Sequence, residues 1–158
     1  MNIRSALKSQ LHASLAMLRI VVENCPDALW DDGEHPRKFW RIAYHATYYG
    51  HLYLMQTLED FEPWPKYQAD HQRIYGEVAE FPACSKGDVL EYIEYVDGMV
   101  DRQIDALDLE SQESGFSWYT MPKLDHVMVN IRHVQEHAGQ LGERLLQAGA
   151  DISWVGKA

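Results

Sequence analysis

Apolar residues recur along this chain at helical spacing, never with the strict alternation of a half-buried strand. Over residues 2 to 25, Leu7, Leu11, Leu15, Leu18 and Val22 fall three or four apart, which makes one apolar face of a first helix that Pro26 closes. The next stretch, CPDALWDDGEHPRK, is rich in Pro, Asp and Gly and reads as a loop. Pro36 then suits the first turn of a second helix, KFWRIAYHATYYGHLYLMQTL, which runs to Leu58. Aromatic and aliphatic residues occupy most of its faces, so it is expected to be buried on more than one side.

Residues 59 to 84 hold Pro63, Pro65 and Pro82 with Trp64, Tyr67, Tyr75 and Phe81 between them. A connection of this length implies a crossover rather than a tight hairpin, with a short helix expected from about Gln68 to Tyr75. Ser85 is placed to cap a third helix, with Asp88 reaching back to it, and Val89, Ile93, Val96, Val100, Ile104 and Leu107 give the apolar face. Asp97, Asp101 and Asp105 repeat every four residues and read as a solvated acidic row. A second loop over 108–120 leads through Thr120 and Pro122 into a fourth helix that ends before Gly149. On it Val127, Ile131, Val134, Ala138, Leu141 and Leu145 share the core face, while Asp125, Arg132, Glu136 and Glu143 share the solvated one. The expected fold is all-α, a four-helix bundle in one domain spanning 1–158.

Composition narrows the function. The net charge of −10 and the absence of any Lys/Arg run argue against nucleic acid and anionic membrane as partners. The amino-terminal stretch lacks a continuous apolar core, no run approaches spanning length, and there are only two cysteines, so a reducing cytoplasm is the expected setting. Neither Cys25 nor Cys84 has an activating neighbour in sequence. No Gly-rich phosphate loop and no Gly-x-Ser-x-Gly elbow is present.

Candidate chemistry lies in the histidines. His133 and His137 are four residues apart on the fourth helix, so their imidazoles stand one turn apart at the edge of the core face. One helix can give two nitrogens to one metal ion in this way, although a polar shoulder on a packed helix has the same spacing. His126, Asn130, Gln140 and Arg144 continue the stripe. His45 sits in the middle of the second helix, where each ring nitrogen needs a partner; a tyrosine, a carbonyl or a metal would serve. His51 is rotated about 120° from His45 and cannot share its site. His12 and His35 read as surface or core-edge residues.

Four helices, a histidine in the middle of the second and His-x-x-x-His in the fourth resemble the DinB-like superfamily of small helical-bundle metalloproteins. The matching segments are FWRIAYHATYYGHL, with Trp40 and His45, and RHVQEHAGQL at 132–141. The resemblance implies a four-helix bundle in the order 1-2-4-3, with helices two and four side by side. It implies that His45, His133 and His137 converge on a divalent ion, zinc or nickel, with open positions for water or substrate. It also implies chemistry on a low-molecular-weight thiol or another small molecule. Three neutral imidazoles with open positions are the pattern of a catalytic rather than a structural zinc site, and imidazole accepts nickel as well.

Two function classes follow: a metal-dependent enzyme, either a thiol S-transferase or a hydrolase, and a non-catalytic bundle whose triad is a structural or vestigial staple. An enzyme needs a further group beside the metal, and His126, Asn130, Tyr49 and Gln140 are the candidates on the same stripes. The aromatic second helix, together with Trp64 and Tyr67 in the crossover, leads to the expectation of a two-fold homodimer.

Overall fold

The computed structural model describes residues 2–35, 37–75 and 81–158. All regular structure among them is helical: α1 (Ile3–Glu23), α2 (Asp27–Trp30), α3 (Phe39–Leu52), α4 (Lys86–Asp97), α5 (Val100–Ala106) and α6 (Lys123–Gln147), with a 3-10 turn at Leu58–Asp60. The expected helix one is α1, helix two is α3, helix three is divided between α4 and α5, and helix four is α6.

The apolar spacing in α1 is used as read. Leu7, Leu11, Leu15, Leu18 and Val22 are all buried, and the Asn2 side chain caps the helix by accepting from the Ser5 amide. In α3 every residue from Phe39 to Thr47 is buried, as the aromatic and aliphatic residues on its several faces require. The Ser85 cap forms: its Oγ accepts from the Asp88 amide at 3.0 Å and donates to the Asp88 carboxylate at 2.6 Å. In α6, Val127, Val134, Ala138, Leu141 and Leu145 are buried and Ile131 is half-buried.

These faces close on one cluster of buried side chains drawn from all the helices. The main pairings are α1 with α6, α3 with α6, α1 with α4 and α5, and α3 with α4, while α1 and α3 meet more sparingly. Helices two and four are therefore side by side. The order 1-2-4-3 shares that pair and the pair of helices one and three; the pairs one–four and two–three found here are not those of that order.

The element boundaries depart from expectation where local chemistry overrides periodicity. The second helix ends at Leu52 instead of Leu58, because the amides of Leu54 and Met55 turn back to the carbonyls of His51 and Leu52. Pro36 lies outside the described residues, and the helix begins at Phe39. The short helix expected over 68–75 is replaced by single turns, with Asp70 in the left-handed region at φ 65°. Residues 76–80 of the crossover lie outside the described residues. The third helix breaks at Gly98 and Met99, where glycine has low helix propensity. The acidic row stays in solvent and pairs with α1: Asp97 contacts His12 Nδ1 at 2.7 Å and Asp105 contacts Lys8 Nζ at 2.8 Å. Among the described residues, no helix is long and apolar enough to cross a membrane.

Candidate metal centre

Gly50 on α3 lets that helix approach α6 closely. A Cβ there would come within 3.1 Å of Val134 Cγ2, and the Gly50 carbonyl accepts a 3.0 Å hydrogen bond from Asn130 Nδ2. Val134 is the residue after His133, and His45 lies five positions before Gly50. The close approach thus sets His45 of α3 against His133 and His137 of α6.

The three rings form one group. Their centroids are 5.1 Å apart for His45–His133, 4.8 Å for His45–His137 and 4.7 Å for His133–His137. One ligand atom from each lies within 4.8 Å of the others. His45 Nε2 and His133 Nε2 are 3.1 Å apart. Two of the rings are oriented from behind: His45 Nδ1–H donates to the Gln72 carbonyl at 2.6 Å, and His137 Nδ1–H donates to Gln140 Oε1 at 3.1 Å. Both rings then offer a bare Nε2. Two lone pairs facing each other at the His45–His133 distance repel unless a proton or a cation lies between them.

Burial acts in the direction a metal requires. It pushes His45 down to about 4 and His133 to about 3, aided by the neighbouring imidazoles, and it lowers His137 as well. All three are neutral at pH 7, the form that ligates. His133 Nδ1 is buried without a hydrogen-bond partner, so this ring is held by packing. The donor set therefore fits a metal ion: neutral imidazoles, two with oriented tautomers, facing one point.

That point opens to solvent. A pocket of about 470 Å³ rises over the triad, walled by Tyr49, Tyr53, Tyr75, Trp118 and Tyr119, with Glu136 at its side. Tyr49 lies 4.7 Å from the His45 ring and 5.7 Å from the His133 ring, centroid to centroid. Gln140 is the partner of His137. Asn130 is buried beneath the α3–α6 contact, bonded to Gly50, and does not line the pocket. His126 is separated from the triad and fully buried among Phe116, Tyr53 and Tyr119, at centroid distances of 4.7, 4.8 and 5.2 Å. His51 faces Tyr92, whose hydroxyl is 3.1 Å from its Nδ1, and His12 pairs with Asp97.

Several pocket residues escape a reading by periodicity. Tyr53 follows the last residue of α3, and Trp118 and Tyr119 belong to the second loop, whose return over the triad no pattern announces. Three aromatic residues, Phe116, Trp118 and Tyr119, within the polar run SQESGFSWYT were the available signal. Glu136 reads as solvated and is indeed exposed, yet its place in His-x-x-Glu-His sets a carboxylate beside the ligand pair. Comparison with protein-family models, with curated proteins and with solved structures gave no match.

Proposed function

We propose that the chain is a divalent-metal-dependent enzyme, a hydrolase or a thiol S-transferase, whose ion is held by His45, His133 and His137. The observation that carries this reading is that the three imidazoles converge at the floor of an open pocket. A structural site is closed by a fourth protein ligand, whereas a catalytic one keeps a position free. When bound, the ion supplies a Lewis acid at the pocket floor. The remaining work falls to the chain's own groups. The Gln72 carbonyl and Gln140 fix ring orientation, the aromatic walls limit water, and the Glu136 carboxylate is the pocket group able to accept a proton and return it. Kinship with DinB-like bundles belongs to this reading and rests on the resemblance alone, two of the helix pairings being other than those of the order 1-2-4-3, while a cytoplasmic setting rests on composition and cysteine usage. A two-fold homodimer belongs to this reading as well, argued from apolar surface, which exposed Trp154, Leu146 and Met128 offer.

The test is elemental analysis of protein purified without an affinity tag, followed by zinc and nickel titration of wild type, His137→Ala and Gln140→Leu. Removing His137 takes away one of three ligands and most bound metal. Freeing its ring through Gln140→Leu is expected to weaken binding by roughly ten-fold. Melting curves with and without chelator, beside a panel of thiols, electrophiles and esters, separate the classes. Turnover that needs metal, with melting that does not, supports the enzyme. A chelator-induced collapse of melting temperature with no turnover indicates the staple instead, since structural metals contribute folding free energy.

A further inference from the structure

We propose that the pocket over the histidine triad takes an aromatic small molecule that carries no anionic substituent on the ring entering the pocket. This deepens the metalloenzyme reading and rests on it only for the statement that the ligand's inner end meets an ion.

The walls argue the aromatic part. Tyr49, Tyr53, Trp118 and Tyr119 line the cavity with ring surface, and Tyr75 adds to its mouth. Trp118 is 50% exposed and Tyr75 is 65% exposed, a large apolar area to leave in water. Neither ring is loose. Trp118 Nε1–H donates to the Tyr53 hydroxyl at 3.3 Å, and its ring rests on Phe116 at 5.5 Å between centroids. Tyr75 carries the Arg37 guanidinium 4.7 Å over its ring and presents an edge to His45 at 6.4 Å. Aromatic rings held in place at the rim of a pocket lose little entropy when a flat ligand stacks on them. Tyr53 marks the link to the triad, with its ring centroid 6.1 Å from that of His133.

The charge part follows from what lines the same cavity. Among the described residues, Glu136 is the one carboxylate in the lining, which includes no Lys or Arg. Arg37 is committed to the Tyr75 ring and the Ile74 carbonyl. A sulfonate or phosphate on the stacked ring would meet a carboxylate and ring faces, which carry negative electrostatic potential. Away from the ion at the pocket floor, such a group would find no cation among the described lining residues.

The experiment follows the indole Nε1–H signal of Trp118 by two-dimensional NMR of the full chain, assigned by its loss in Trp118→Phe. Three probes of similar size are titrated: 2-naphthol, its saturated counterpart decahydro-2-naphthol, and 2-naphthalenesulfonate. The expected result is a saturable shift with 2-naphthol, at an affinity about ten-fold above either of the other probes, a margin of the size that aromatic stacking supplies. Tyr75→Ala, followed by the same indole signal, and Trp118→Ala, followed by the imidazole C–H signals of the triad on the pocket floor, should each abolish that margin. Equal affinity for the aromatic and saturated probes, or no saturable shift with any probe, overturns the inference. Binding of the sulfonate as tight as that of 2-naphthol overturns its charge part. Zinc and nickel are titrated on the same samples through the imidazole C–H signals. Metal binding without 2-naphthol binding leaves the metal centre standing and removes this inference, and the reverse outcome removes the metal centre alone.

Discussion

Gly50 of α3 and Val134 of α6 meet so closely that a Cβ on Gly50 would stand 3.1 Å from Val134 Cγ2. Alanine at this position would favour the helix by about 1 kcal/mol through propensity. Against this stands overpacking, at about 1–3 kcal/mol. Val134 is β-branched and fully buried and has little room to give, so the steric cost should prevail. Gly50→Ala is expected to lower the melting temperature by a few degrees and, by parting α3 from α6, to weaken zinc binding more than its stability loss suggests. Adding Val134→Ala should restore the metal affinity. Calorimetric titration of the single and double variants checks this, and unchanged affinity in Gly50→Ala would show that the contact does not set the His45–His133 distance.

The last helix was legible because two independent periodicities agree on it: Val127, Val134, Ala138, Leu141 and Leu145 mark the core, and His133 and His137 share an adjacent face. The Ser85 cap was legible because its signal is local. The end of the second helix was not. Tyr53, Leu54 and Met55 are buried just as a continuing helix would bury them, but they do so in tightened turns. Hydrophobicity reports burial there and not backbone form. The acidic row is solvated as its spacing implies, but repeat spacing gives the face and not the neighbour, and its neighbours are Lys8 and His12 of α1. Convergence of His45 with the pair on α6 depends on Gly50, whose meaning appears only once Val134 is opposite it.

His126 is fully buried among three aromatic rings, with neither ring nitrogen hydrogen-bonded. Burial, aided by the Lys123 charge, pushes its pKa down from 6.5 to about 4. Its folded pKa thus lies below the unfolded one. Above pH 6.5 both states are neutral and the group adds no slope. As pH falls from 6.5 toward 4 the unfolded chain takes up the proton first, so stability is lost across that window. His51, lowered to about 4 by burial, acts in the same direction. His126→Phe removes two unpaired polar atoms and should raise stability at pH 7 by about 1 kcal/mol. It should also flatten the acid limb by up to one proton. Urea titrations of both proteins at intervals from pH 4 to 7.5 measure the two effects, and an unchanged acid limb would show that folding leaves the proton affinity of His126 at its ordinary value.

Lys123 opens α6 as a buried cation. It is fully buried, and its Nζ donates to the Met55 carbonyl at 2.8 Å and to the Ser114 carbonyl, with the Phe116 ring centroid 5.0 Å away. These bonds tie the turns that follow the second helix and the pocket loop to the start of the last helix. Burial pushes Lys123 down from 10.5 to about 8. The unfolded chain therefore holds this proton over a range where the folded one has released it, and stability should rise with pH above about 8. A neutral amine still has two hydrogens for the two carbonyls, so the links survive deprotonation. The rise ends where buried cysteines and then tyrosines reverse it: burial pushes Cys25 and Cys84 up from 9 to about 11, so unfolding releases their protons more readily above pH 9. Tyr44 and Tyr48 are pushed up to about 12 by burial, so unfolding releases their protons more readily above pH 10 and stability falls. The expected profile is a maximum between pH 8 and 10. Lys123→Met removes the alkaline rise and leaves two buried carbonyls unpaired, at a cost of about 1–3 kcal/mol each. Urea denaturation from pH 7 to 11 on both proteins reads the effect, and a wild-type curve that is flat or falling from pH 8 would show that Lys123 keeps an ordinary proton affinity.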